Sequence, residues 1–164
     1  MAADQNFVQV DWSKLPVPED DGGARHLAGA AVADVALPST AGDEVSFARL
    51  SGRTVLFVYP MTGTPGVALP VGWDAIPGAR GCTPHACAFR DLHADLTAAG
   101  AAHVFGLSTQ TLAEQQATVE RLHLPFPLLS DAALRLATAM ALPTMAVEGK
   151  TMIKRLALVL DDGL

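Results

Sequence analysis

Cys82 and Cys87, the two cysteines of this chain, stand five residues apart in Gly81-Cys82-Thr83-Pro84-His85-Ala86-Cys87-Ala88-Phe89-Arg90-Asp91. A thiolate with a second thiol close behind it is the basic equipment of thiol redox chemistry. The run predicts a helix that starts just after Cys82. Thr83 can cap it, and Pro84 suits its first position, where the N–H that proline lacks would be unpaired anyway. The positive end of a helix dipole stabilises a nearby anion, so the pattern predicts that Cys82 ionises more readily than a free cysteine. Two helical cysteines at this spacing have Cα atoms roughly 8–9 Å apart, beyond disulfide reach. A bond between them then requires the first turn of the helix to unwind.

The elements that must hold this pair are legible on either side of it. Thr54-Val55-Leu56-Phe57-Val58-Tyr59 is a continuous β-branched and aromatic run, the pattern of a buried central strand. Residues 60–81 are rich in Gly and Pro and carry no helical or strand period, which reads as a long functional loop. A helix is expected from Pro84 to about residue 99, with Cys87, Leu92 and Leu96 on one side and Gly100 as its stop. His103-Val104-Phe105-Gly106-Leu107-Ser108 reads as a second buried strand. Thr111-Leu112-Ala113-Glu114 has the form of a capping box opening a helix through Leu122. Ser130-Asp131 caps a short helix to Met140, and residues 153–160 form the last strand. Strands alternating with helices imply a central mixed sheet flanked by helices, an α/β fold. The Asp-Gly near the end normally hands the chain to a returning strand, so a C-terminal strand and helix are expected to be missing after Leu164.

Composition narrows the classes of function. The chain has 164 residues, is 50% hydrophobic and carries a net charge of −6, as suits one folded domain. No Lys/Arg cluster with interleaved aromatics is present, which argues against nucleic acid as a partner. The N-terminus has no secretory pattern and no apolar run reaches the length of a membrane span, so the expectation is a cytoplasmic protein without a membrane partner. In such a reducing compartment, paired cysteines are catalytic or metal-binding more often than structural. Residues 1–26 form an irregular, turn-rich lead-in, and residues 27–164 form the domain.

The stretch Gly81-Cys82-Thr83-x-x-Ala86-Cys87-x-Phe89-Arg90-Asp91 resembles the active-site helix of peroxiredoxins of the bacterioferritin-comigratory or Q type. The strand at residues 55–60, Phe105-Gly106-Leu107-Ser108, and Leu124-Pro125-Phe126-Pro127-Leu128-Leu129-Ser130-Asp131 resemble the segments around it. The resemblance implies a thioredoxin-like fold and a thiol-dependent peroxidase that uses no metal or organic cofactor. It makes Cys82 the peroxidatic cysteine, resolved by Cys87, and assigns the family's arginine to Arg155. It implies hydrogen peroxide or an organic hydroperoxide as substrate, a thioredoxin- or glutaredoxin-like dithiol as reductant, and a monomer or homodimer.

The family motif of proline, three residues, threonine, two residues and cysteine fits Pro60 and Thr64, but residues 67–81 then intervene before Cys82. Either that insertion is an extruded loop and Thr64 still reaches Cys82, the preferred reading, or the motif is rebuilt from residues 76–81.

Other readings of the same residues compete. Cys87 on an amphipathic helix can be a small buried apolar residue. Thr64 in Thr-Pro-Gly reads as a turn residue, and Arg155 as a surface ion pair. His85 and His93 read as a solvated helix face, and Trp73 either covers the site or anchors its loop. Cys82, His85 and Cys87, with His93 or His103, would make a zinc set, but the spacing does not match common zinc patterns. A disulfide reductase usually carries its cysteines two residues apart, and here four residues intervene. The remaining alternative is a redox-inert thioredoxin-fold binding module.

Overall fold

The computed structural model describes residues 7–164. Its strands are β1 (Leu37–Pro38), β2 (Glu44–Val45), β3 (Arg53–Val58), β4 (Ala101–Ser108), β5 (Leu128–Ser130), β6 (Thr144–Val147), β7 (Lys150–Ile153) and β8 (Leu156–Asp161). Its helices are α1 (Cys82–Asp91), α2 (His93–Ala98), α3 (Leu112–Leu122) and α4 (Arg135–Ala139).

The apolar run at β3 becomes the inner strand of a four-stranded sheet in the order β5-β4-β3-β8. β3 is parallel to β4 and antiparallel to β8, with Val55 opposite Val104 on one side and Val159 on the other. Successive strand residues face opposite sides of a sheet. Accordingly Leu56 and Val58 enter a core with Leu37, Phe47, Leu107 and Ile153, whereas Phe57 and Tyr59 enter a second core with Ala86, Cys87, Phe126 and Leu128. The second core lies under α1, with α2 against β4 and α3 against β5. This mixed sheet flanked by helices is the arrangement expected of a thioredoxin-like fold.

α3 opens as its sequence demands: the Thr111 side chain accepts from the Glu114 N–H, and the Glu114 carboxylate accepts from the Thr111 N–H. Three expectations are corrected. The helix expected over residues 84–99 is two helices, broken at Leu92, whose φ and ψ are −94° and 4°. The helix expected after Asp131 covers only α4, although the Asp131 carboxylate does accept from the N–H groups of Arg135, Leu136 and Ala137. The last strand is split into β7 and β8, leaving Lys154 and Arg155 between them. The β6–β7 hairpin has no sequence counterpart above. Its turn places Glu148 and Gly149 at φ of 49° and 76°, the left-handed pair that a two-residue hairpin turn needs.

Residues 7–27 contain two short 3-10 turns, Trp12–Lys14 and Arg25–Leu27, and residues 7–18 run along the start of α1 rather than away from the domain. Among the described residues, no helix is long and apolar enough to cross a membrane.

Candidate active site

α1 begins two residues earlier than the sequence suggests. Gly81 is its N-cap, with φ at 101°, and Cys82 is its first residue, so Thr83 and Pro84 occupy the second and third positions. A positive φ is what glycine provides without steric cost. Thr83 does not cap the helix. Its hydroxyl oxygen is buried with no hydrogen-bond partner, and the residue lines the same small cleft as Cys82.

Three segments converge on the Cys82 sulfur. The end of β3 leads through Pro60 to Met61, whose backbone N–H points at it. The 67–81 segment ends in Gly78, Ala79 and Arg80, and the Cys82 thiol donates to the Ala79 carbonyl at 3.5 Å. From the break between β7 and β8, Arg155 reaches in, with Nη2 3.1 Å from Sγ. The guanidinium is held by neutral acceptors: Nε donates to the Gly78 carbonyl at 3.1 Å, Nη2 to those of Ala79 and Arg80, and Nη1 to His85 Nδ1 at 2.8 Å. None of the described ion pairs involves Arg155. With no carboxylate beside it among the described residues, its positive charge is available to the sulfur.

Cys82 is only 3% exposed. Burial pushes its thiol up from the ordinary cysteine value, against the downward pull of the Arg155 charge, the Met61 N–H and the Arg155 hydrogen bond. This reverses the expectation that a helix start by itself makes Cys82 an easily ionised thiol. Desolvation of an anion outweighs a partial helix charge when the group is sealed from water. His85 is the complementary case. Burial and the adjacent Arg155 charge drive its pKa down to about 4, which keeps the ring neutral and able to accept from the guanidinium.

Cys87 lies in the same helix, buried, in the core cluster with Phe57 and Phe126, and both cysteines are free thiols. Arg90 and Arg121 are within electrostatic reach of it. About one and a half helical turns separate the two cysteines along the chain, so the geometry retains the requirement that the first turn unwind before they bond.

Of the residues singled out by sequence, Cys82 and Arg155 are brought together, Cys87 lies in the core cluster that also holds Cys82, and Pro60 lies buried where β3 enters the site, lining one cleft with Arg155. Thr64 is not brought in. It is exposed, in a turn closed by the Val67 N–H on its carbonyl, and its side chain makes none of the described hydrogen bonds. Thr62 is the buried threonine of this loop, and it is occupied by Gln110 and Thr118. Trp73, on the 67–81 segment, is buried against Val147 and Met152 of the β6–β7 hairpin and also lines the Cys82 cleft, so it both anchors the loop and covers the site. His85 and Thr83 were missed as site residues. The signal for His85 was its position one helical turn beyond Cys82, on the face that α1 turns inward. Among the described residues no three His, Cys, Asp or Glu side chains form a metal-binding group.

Comparison with known proteins identifies the family and the fold. A family model described as Redoxin matches residues 27–164. A Coxiella burnetii protein named bcp is 35% identical over 96 residues, 58% of this chain and 53% of that protein. Peroxiredoxin Q of Triticum aestivum is 37% identical over 91 residues, 55% of this chain and 35% of that protein. The matched segments are thus about half or less of the length of these two curated relatives. Among solved structures, peroxidoxin BcpB of Mycobacterium tuberculosis superimposes with a TM-score of 0.63 at 31% identity, covering 82% of this chain and 78% of that one. Peroxiredoxin Q of Xanthomonas campestris, at 23% identity and a TM-score of 0.59, shares the fold over 79% of this chain and 74% of its own.

Proposed function

The chain belongs to the Redoxin family, among the peroxiredoxins, and from that premise we propose that it is a thiol-dependent peroxidase reducing a hydroperoxide at Cys82. The observation that carries this reading is the 3.1 Å approach of the Arg155 guanidinium, held otherwise by neutral acceptors, to the sulfur at the start of α1. A guanidinium there favours the thiolate and then the negative charge that develops on the departing oxygen.

In the first step the Cys82 thiolate attacks one peroxide oxygen, the O–O bond breaks, and the other oxygen leaves as water or alcohol after taking up a proton. Cys82 is left as a sulfenic acid, oxidised by two electrons. The Cys87 thiol then displaces the sulfenic hydroxyl as water, forming the Cys82–Cys87 disulfide once the first turn of α1 has opened. An external dithiol of the thioredoxin or glutaredoxin kind returns both thiols and is itself oxidised to a disulfide. Thr83, rather than Thr64, supplies the hydroxyl that faces the reacting oxygens, since its oxygen is buried beside Cys82 with no other partner.

The test is titration of free thiols with hydrogen peroxide, followed by intact mass. The reading expects a loss of two hydrogen atoms in the parent protein, accumulation of one added oxygen in Cys87→Ser, and no change in Cys82→Ser. Turnover by the Cys82→Ser protein at the parent rate overturns it.

A further inference from the structure

The cleft that Cys82 lines is about 10 Å³, enough for roughly one water molecule and too small for a hydroperoxide. Leu69 and Trp73 of the 67–81 segment wall part of it, and Phe7, from outside the region matched by the family model, completes the closure. Phe7 is 7% exposed although its neighbour Val8 is 53% exposed. Its ring lies directly on Gly63, so closely that a Cβ added there would stand 2.5 Å from ring carbons, and the Arg80 guanidinium sits 5.9 Å from its centroid. The tip of the Trp12 ring lies on Gly81 in the same way, 2.4 Å from where a Cβ would stand.

Gly63 follows the loop that aims the Met61 N–H at the sulfur, and Gly81 immediately precedes Cys82. Both backbone segments flanking the sulfur therefore present a glycine, and an aromatic ring of the N-terminal segment covers each one. The described backbone bonds at Asp11–Leu15 are local, from Lys14 to Asp11 and from Leu15 to Trp12.

We propose that Phe7, assisted by Trp12, is an access-determining residue of the reaction. Residues 7–18 act as a removable roof over Cys82, and oxidant reaches the sulfur only when that roof lifts. The inference rests on Cys82 being the reacting thiol. The roof also accounts for the sealing that disfavours the thiolate, because lifting it returns water to the sulfur.

The test compares alkylation of Cys82 by iodoacetamide at pH 7 in full-length Cys87→Ser protein carrying Phe7→Ala, Gly63→Ala or both. Gly63→Ala needs the space of the Phe7 ring, a flexible side chain, and so displaces the roof without altering it. Each single change is expected to raise the rate constant at least 10-fold, and the double variant to react no faster than the faster single one, because both lift the same ring. Rates within twofold of the parent overturn the proposal. So does an equal acceleration of Cys87 in the Cys82→Ser background, which would mark general loosening. Hydrogen peroxide oxidation measured on the same proteins separates the two readings. Faster alkylation without any sulfenic acid upholds the roof and refutes the peroxidase, whereas peroxide oxidation at an unchanged rate in all variants refutes the roof alone.

Discussion

Removing the Arg155 charge gives the sharpest test of how this site works. In Arg155→Met the guanidinium 3.1 Å from Cys82 Sγ is replaced by a shorter, uncharged chain. At that separation a unit charge pair is worth from about 1 kcal/mol at the dielectric of water to about 5 kcal/mol at an effective dielectric of about 20. At about 1.36 kcal/mol per pH unit, the midpoint for Cys82 ionisation should move up by about 1 to 4 pH units. Because burial already pushes this thiol up, almost none of it would be ionised at neutral pH. The rate with hydrogen peroxide at pH 7 should then fall by about 10-fold to 10⁴-fold, since only the thiolate attacks. The assay is the pH profile of Cys82 alkylation in the Cys87→Ser background, read beside peroxide oxidation of the same protein. Arg155 also binds three backbone carbonyls, so Arg155→Lys provides the control. It keeps the charge without the planar fork and should lie between parent and Met variant. An alkylation midpoint in Arg155→Met equal to the parent's would refute the argument that this guanidinium eases ionisation of the sulfur against the cost of burial.

His85 and Asp131 give two further checks. The folded-state pKa of His85, about 4, lies below its ordinary value of 6.5, so between those pH values the unfolded chain binds more protons than the folded one. Stability therefore falls as the pH drops through that window. In urea unfolding at pH 7 and pH 4.5 the parent should lose about 2–3 kcal/mol more than His85→Gln, and equal losses would contradict the assignment. Asp131 is 1% exposed and accepts from three backbone N–H groups at α4. Asp131→Ala should cost about 1–3 kcal/mol of unfolding free energy, with Asp131→Asn recovering part of it. A stability change below about 0.5 kcal/mol in thermal or urea unfolding would remove Asp131 as a structural cap.

The parts legible in the sequence were those written in local code. The β-branched run at β3 reads as a buried strand because a strand buried on both faces has no polar alternation to disguise it. The capping box Thr111–Glu114 reads as a helix start because its two hydrogen bonds join residues three apart. The cysteine pair reads as redox chemistry because the spacing of the thiols on one helix is fixed by helix geometry. The pieces that resisted are non-local. Leu92 breaks the helix after α1 without a Gly or Pro to announce it, and the β6–β7 hairpin turns at Glu148-Gly149, a weaker signal than Asn-Gly or Asp-Gly. The 67–81 segment has no period, yet its last carbonyls hold Arg155.

By itself, then, the sequence determined that this is an α/β chain with two thiols five residues apart at the start of a helix. Which groups meet the sulfur was decided only by the tertiary structure. Thr64 and Thr83 are both threonines near Cys82 in the motif, but the fold leaves the first in solvent and buries the second. His85 looked like a surface histidine until Arg155, 70 residues away, was placed against it. The acidity of Cys82 also followed from the fold. A helix start contributes a partial charge that local sequence can specify, whereas desolvation depends on every segment that folds over the site, and here a ring from Phe7 helps to seal it.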